Sequence, residues 1–257
     1  MSQSAGFFQQ FMKRIGPPAY RALSPIRPGH ALGALLAFFV IAWLFQAIAV
    51  YGLGFARYLL FESSYKPDDP LVSETELWII FIFAQILLLI LVLNKLSWQM
   101  PLMERALSLF RMQLTLAQSI MLTCSILALI CGLSSAIHHF FPTGSANPFR
   151  EELNSDAWLA VFFVYAICWP IVGEVCFRGF LLSALTSHGY SFLRSAIIVT
   201  SLWTLLGWDY AWQDVITSLV IGMTLCGVLW RFGSLWLCIS LHALLNCSIM
   251  AAVKWYT

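Results

Sequence analysis

The sequence predicts an all-α, polytopic bundle of about seven transmembrane helices, and three observations carry that prediction. Of its 257 residues, 60% are hydrophobic and only 10% are charged, against about a quarter charged in an average soluble domain. Its mean hydropathy is +0.82. Apolar stretches recur near the ~20 residues needed to cross the hydrocarbon core, without the strict alternation of barrel strands. Together these exclude a disordered chain, a disulfide scaffold and an ordinary soluble domain. The formal net charge of +2, from 14 Lys+Arg and 12 Asp+Glu, offers no basic field for a nucleic acid.

Residues 1–30 hold Lys13, Arg14, Arg21 and Arg27, no acids, and the breakers Pro17, Pro18, Pro25 and Pro28. They read as a basic cytoplasmic tail, with an interfacial helix near Phe7 to Met12, rather than a cleavable signal peptide. Residues 31–257 read as one transmembrane domain. Its apolar stretches run roughly Ala31 to Leu53, Leu77 to Leu93, Leu114 to Ile137, Trp158 to Leu185, Ser195 to Trp208, Val215 to Trp230 and Leu235 to Val253. The fourth is too long for one straight span and short for two. Pro170 and Gly173 within it predict a broken helix. An eighth span, from a re-entrant piece, is the alternative.

Loop charge sets the expected orientation. The first loop carries Glu62, Asp68, Asp69, Glu74 and Glu76 against Arg57 and Lys66, and the second Lys95, Arg105 and Arg111 against Glu104. The third carries Glu151, Glu152 and Asp156 against Arg150. The later connections hold Arg194, then Asp209 and Asp214, then Arg231. Basic and acidic loops alternate if the fourth stretch crosses once, which places the N-terminus in the cytoplasm and the C-terminus outside.

The seven cysteines, at 124, 131, 168, 176, 226, 238 and 247, lie in apolar runs without metal spacing and read as small buried hydrophobes. His138 and His139, near Glu151 and Asp156, read as a solvated interfacial pair rather than a metal site. The Trp residues at 158, 169, 203, 208, 212, 230, 236 and 255 read mostly as interface anchors. Ser183 and Ser187 have no sequence partner suggesting a nucleophile. No metal and no cofactor is expected.

Ionisable groups inside a span are costly, so each is a candidate site. Three stand well inside apolar runs: Glu174, Arg178 and His242. Glu174 and Arg178 are four apart and share a helical face, as do His242 and Asn246. Glu174 lies roughly 18 Å, and His242 roughly 12 Å, from the cytoplasmic ends of their helices at 1.5 Å per residue. The two pairs are thus expected to meet in the bundle interior. The bland reading is a helix-locking ion pair and an interhelical hydrogen bond.

The order Pro170-x-x-x-Glu174-x-x-x-Arg178-Gly-Phe-Leu, a Trp-rich span, Gly233-Ser-Leu-Trp and His242-x-x-x-Asn246 resembles the CPBP family. These are the CAAX-protease and bacteriocin-processing membrane proteins, also called the Abi family. The resemblance covers a core at about 157–252. It implies an intramembrane glutamic protease fold cutting prenylated or other membrane-bound peptides. In that family the first Glu of Glu-Glu-x-x-x-Arg and the His of Phe-x-x-x-His activate water. The His and Asn of His-x-x-x-Asn stabilise the oxyanion.

Carried over, the second Glu is Glu174, the Arg is Arg178, and the third motif is intact as His242 and Asn246. The first Glu, however, falls on Gly173, and the second-motif His on Gly207, with Trp203 at the aromatic position. Glycine has no side chain to move a proton. The resemblance therefore implies a pseudoprotease that binds a membrane protein partner or lipid in the former active-site cleft. The alternative is an active endopeptidase on a membrane-bound peptide, with Glu174, His242 or Asp209 as substitute base. A transporter built on the fourth stretch is disfavoured, because no inverted repeat accompanies it. Family habit places such a protein in a bacterial inner membrane.

Overall fold

Lipid offers no hydrogen-bond partners, so a spanning chain must satisfy its backbone internally. The computed structural model does so with helices throughout. It describes Tyr20, Ala22, residues 26–61, Pro70, 72–97, 116–140, 152–206 and 212–256. The interfacial helix near Phe7 to Met12 lies outside these.

Each predicted apolar stretch is helical among the described residues. The helices are α1 (Pro28–Phe61), α2 (Glu74–Ser97), α3 (Leu116–Phe140), α4 (Trp158–Ser187), α5 (Phe192–Leu205), α6 (Trp212–Phe232) and α7 (Leu235–Tyr256). Five of them, α1, α2, α4, α6 and α7, are long and apolar enough to cross a membrane. The apolar parts of the other two are shorter, Ile120–Leu133 in α3 and Phe192–Leu205 in α5.

Local chemistry sets the ends. Pro28 opens α1, where a missing N–H costs nothing. Ser73 and Glu76 form a reciprocal capping box on α2: the Ser73 N–H donates to Glu76 Oε2 at 2.8 Å, and the Glu76 N–H donates to Ser73 Oγ at 3.3 Å. Arg57 donates to Glu76 Oε1 at 2.5 Å and ties α1 to that end of α2. Gly189, at φ +88°, closes α4 with paired bonds from Tyr190 N–H to the Leu185 carbonyl and Gly189 N–H to the Thr186 carbonyl, each 3.3 Å. Gly233, at φ +63°, ends α6 through a 2.7 Å bond to the Leu229 carbonyl. Ser234 then caps α7 by accepting from the Leu237 N–H at 3.3 Å. Such short connections make α4, α5, α6 and α7 antiparallel neighbours.

Contacts at the two ends agree with up-and-down order. Tyr20 bonds Thr186 Oγ1 at 3.0 Å and packs edge-on against Phe192, while its N–H donates to the Trp230 carbonyl at 3.3 Å. At the other end Lys254 Nζ donates to the Leu153 carbonyl at 2.6 Å and lies 5.9 Å from the Trp158 ring. Burial is uneven: 56% of the apolar window of α4 is buried, against 11% in α1. The hub is therefore α4, and α1 leaves large apolar side chains, Trp43, Tyr51 and Phe55 among them, exposed on the outside of the bundle.

The fourth stretch corrects the expected break. It is one helix that widens twice, at Val164–Cys168 and Glu174–Leu181, where backbone bonds run from residue i+5 to i. The Trp169 N–H reaches the Val164 carbonyl and the Leu182 N–H the Phe177 carbonyl. A wide turn ahead of Pro170 moves the carbonyl its ring would strike and keeps the helix going. Of the cysteines, 168, 176, 226 and 238 are buried and all seven are free, but Cys124 is exposed.

Candidate functional site

Glu174 sits at the centre of the helix bundle, on the hub α4. Its carboxylate is 0% exposed, Arg178 1% and His242 3%. Arg178 Nη1 donates to Glu174 Oε1 at 3.2 Å, one turn along the same helix. His242 Nδ1, from α7, meets the same oxygen at 2.9 Å. An ionised carboxylate only accepts, so Nδ1 carries the hydrogen. The other oxygen, Oε2, and Arg178 Nε have no partner among the described residues. Bringing each ion from water into this interior costs several kcal/mol, and the convergence of two donors on one carboxylate offsets that cost.

Two more helices finish the cluster. Trp203 of α5 lays its ring 4.9 Å from the Arg178 guanidinium carbon and meets the His242 ring edge to face at 5.5 Å. The guanidinium thus rests on a π-face in low dielectric, where such contacts are strongest. On α6 the Gly222 carbonyl accepts from Arg178 Nη2 at 3.4 Å. A Cβ at Gly222 would come 2.5 Å from Thr200 Cγ2 and 3.0 Å from Arg178 Nη2. Only glycine lets α6 approach α5 and the guanidinium this closely.

The remaining sequence candidates are placed as follows. Gly173 adjoins Glu174, and a Cβ there would meet only Trp203 Nε1, at 3.6 Å, among the described residues. Asn246 shares the His242 face but reaches elsewhere: Nδ2 donates to the Tyr165 carbonyl at 2.7 Å. Gly207 and Asp209 lie outside the described residues, as do Glu151 and the side chains of His138 and His139. Among the described residues no cluster of His, Cys, Asp and Glu could hold a metal ion.

Trp203, read as an interface anchor, has a second contact that the sequence did not show. It falls near a span end in sequence and is half-buried, with one face of its ring over the Arg178 guanidinium. Gly222 escaped the sequence reading altogether. The only signal for it was a glycine inside an otherwise helical run.

Comparison with known proteins adds one result. Residues 155–248 match the sequence model of a family described as Rce1-like, type II CAAX prenyl endopeptidase Rce1-like. No curated protein and no solved structure matches significantly. The matched stretch contains Glu174, Arg178, Trp203, Gly222, His242 and Asn246. The chain therefore carries, in its C-terminal half, an Rce1-like region consistent with the CPBP family.

Proposed function

We propose that this protein is a non-catalytic CPBP-like membrane protein that holds a membrane partner, a protein helix or a lipid, beside α4, α5 and α7 where relatives would cut peptides. The observation behind this reading is the use made of Glu174. One of its oxygens already receives both Arg178 and His242, and the neighbouring position that would supply a water-activating carboxylate is Gly173. General-base action is worth roughly 10²–10⁴-fold, and a glycine has no side chain to supply it. Asn246, an oxyanion donor by resemblance, is turned toward Tyr165. The polar cluster then serves as internal mortar, and Gly173 leaves space beside it.

A second reading has one observation in its favour. Glu174 Oε2 is unpartnered among the described residues, on the carboxylate that His242 holds by its other oxygen. That reading makes the protein an endopeptidase on membrane-bound peptides with an unusual base. In either case charge alternation supports a cytoplasmic N-terminus, and family habit a bacterial inner membrane.

Purification from native membranes tests the proposal. Wild type is expected to retain a discrete membrane protein, or one lipid class enriched over the bulk. Gly173→Leu, which fills the space beside Trp203, is expected to lose it while Gly173→Ala keeps it. Identical associated species in wild type and a folded Gly173→Leu would contradict the reading.

A further inference from the structure

Tyr20 precedes α1 in the chain, yet it touches three helices of the C-terminal half. Its phenol bonds Thr186 Oγ1 of α4 at 3.0 Å, its ring meets Phe192 of α5 edge-on at 5.1 Å, and its backbone N–H donates to the Trp230 carbonyl of α6 at 3.3 Å. Thr186 turns its own hydrogen to the Leu182 carbonyl at 2.9 Å, so the phenol is the donor of the pair. Ser183 hydrogen-bonds the phenol as well, and burial holds the phenol's pKa above its ordinary value, which keeps that hydrogen in place.

The same three helices hold the polar cluster, through Arg178 on α4, Thr200 on α5 and Gly222 on α6. Arg178 to Thr186, Thr200 to Phe192 and Gly222 to Trp230 are eight residues each, or roughly 12 Å of helix at 1.5 Å per residue. Tyr20 therefore sits over the cluster along all three helices at once. The layer between them contains the small side chains of Ser183, Ala196 and Cys226, all buried. Cys226 lies halfway from Gly222 to Trp230. Its sulfur is 3.7 Å from Thr200 Oγ1 and beside the Arg178 guanidinium. With these small groups in the layer beneath, the seal at this end of the α4–α5–α6 interface falls to the aromatic ring above.

We infer that Tyr20 is a stopper: its ring, pinned by Thr186, closes this end of the interface and keeps water from Arg178 and Glu174, so that the segment before α1 gates access to the cluster. The inference stands apart from whether the protein hydrolyses peptides.

The test is the rate at which a small, charged, water-soluble methanethiosulfonate labels Cys226 in the full chain in lipid discs, read by peptide mass spectrometry. Cys176 is the control for unfolding, since it is fully buried on the opposite side of α4 from Arg178. In wild type Cys226 is expected to label no faster than Cys176. In Tyr20→Ala it is expected to label at least about tenfold faster by local opening, with Cys176 unchanged. Tyr20→Phe and Thr186→Val remove the bond but leave the ring, and each is expected to give a smaller rise at Cys226 alone. These two decide the matter if Tyr20→Ala does not fold. An unchanged Cys226 rate in folded Tyr20→Ala, or in both milder variants where Tyr20→Ala does not fold, would overturn the inference. So would a wild-type Cys226 that labels as fast as in Tyr20→Ala. A parallel rise at Cys176 in every variant would overturn it too, because it would mark a loosened bundle and not an opened end.

Discussion

Arg178→Leu is expected to abolish most of the folded protein. The substitution strands the Glu174 carboxylate, which is 0% exposed, with His242 as its remaining partner. It also removes the guanidinium from the Trp203 ring and from the Gly222 carbonyl. Removing one partner of a buried ion pair costs about 3–5 kcal/mol, a large share of the ~5–15 kcal/mol that holds a typical domain together. Monodisperse yield in detergent and thermal unfolding would register the loss. The pair Glu174→Leu and Arg178→Met together should recover part of it, because a neutral apolar pair leaves no stranded charge. A single Arg178→Leu variant with wild-type yield and melting temperature would show that the cluster does not hold the bundle.

Gly222→Ala is expected to be the most damaging single methyl in the C-terminal half. Its Cβ would fall 2.5 Å from Thr200 Cγ2, 3.2 Å from Thr200 Oγ1 and 3.0 Å from Arg178 Nη2. Neither neighbour is a flexible chain end. Thr200 is 1% exposed and Arg178 is tied at both ends of its guanidinium. Overpacking of this kind costs about 1–3 kcal/mol. Gly173→Ala is the contrast: its Cβ meets one atom at an ordinary 3.6 Å, and better helix propensity, worth up to ~1 kcal/mol, makes it neutral or stabilising. Thr200→Ser removes the clashing methyl and should restore part of the Gly222→Ala loss. Equal melting temperatures for the two glycine variants would refute the close-approach account.

Much of the site could be read before any coordinates, and its physics explains why. Glu174, Arg178 and His242 are ionisable side chains in runs that are otherwise apolar, and such residues must find one another. Helical rise alone put Glu174 and His242 at comparable depth, and in the structure they touch at 2.9 Å. Spacing by four correctly paired Arg178 with Glu174. The same spacing placed Asn246 on the His242 face but could not name its partner. That partner is a backbone carbonyl of a different helix, and nothing in a sequence distinguishes a proline that breaks a helix from one absorbed by a wide turn. Pro170 was read as the former and is the latter.

Trp203 shows a related limit. Position near a span end favours an anchor, and nothing in the sequence shows that the half-buried ring also lies 4.9 Å from a guanidinium. Gly222 is needed because α4, α5 and α6 converge, and convergence of three helices is a tertiary fact. At the helix ends, by contrast, short-range chemistry sets the boundaries. The Ser73–Glu76 box and the glycines at 189 and 233 lie where polar and turn-forming residues interrupt the apolar runs.

On the function proposed above, the buried polar cluster holds the protein together and does not hydrolyse peptides. The most direct measurement is product release by mass spectrometry from membrane-bound peptides, prenylated ones included, presented to the reconstituted protein. Wild type, His242→Ala and Gly173→Glu/Gly207→His are compared at equal amounts of folded protein. Wild type is expected to release no more product than His242→Ala or protein-free liposomes, and cleavage is expected only where the water-activating pair is rebuilt. Cleavage by wild type as fast as by the rebuilt double variant, and lost in His242→Ala by the ~10²–10³-fold expected for an oxyanion donor, would contradict it.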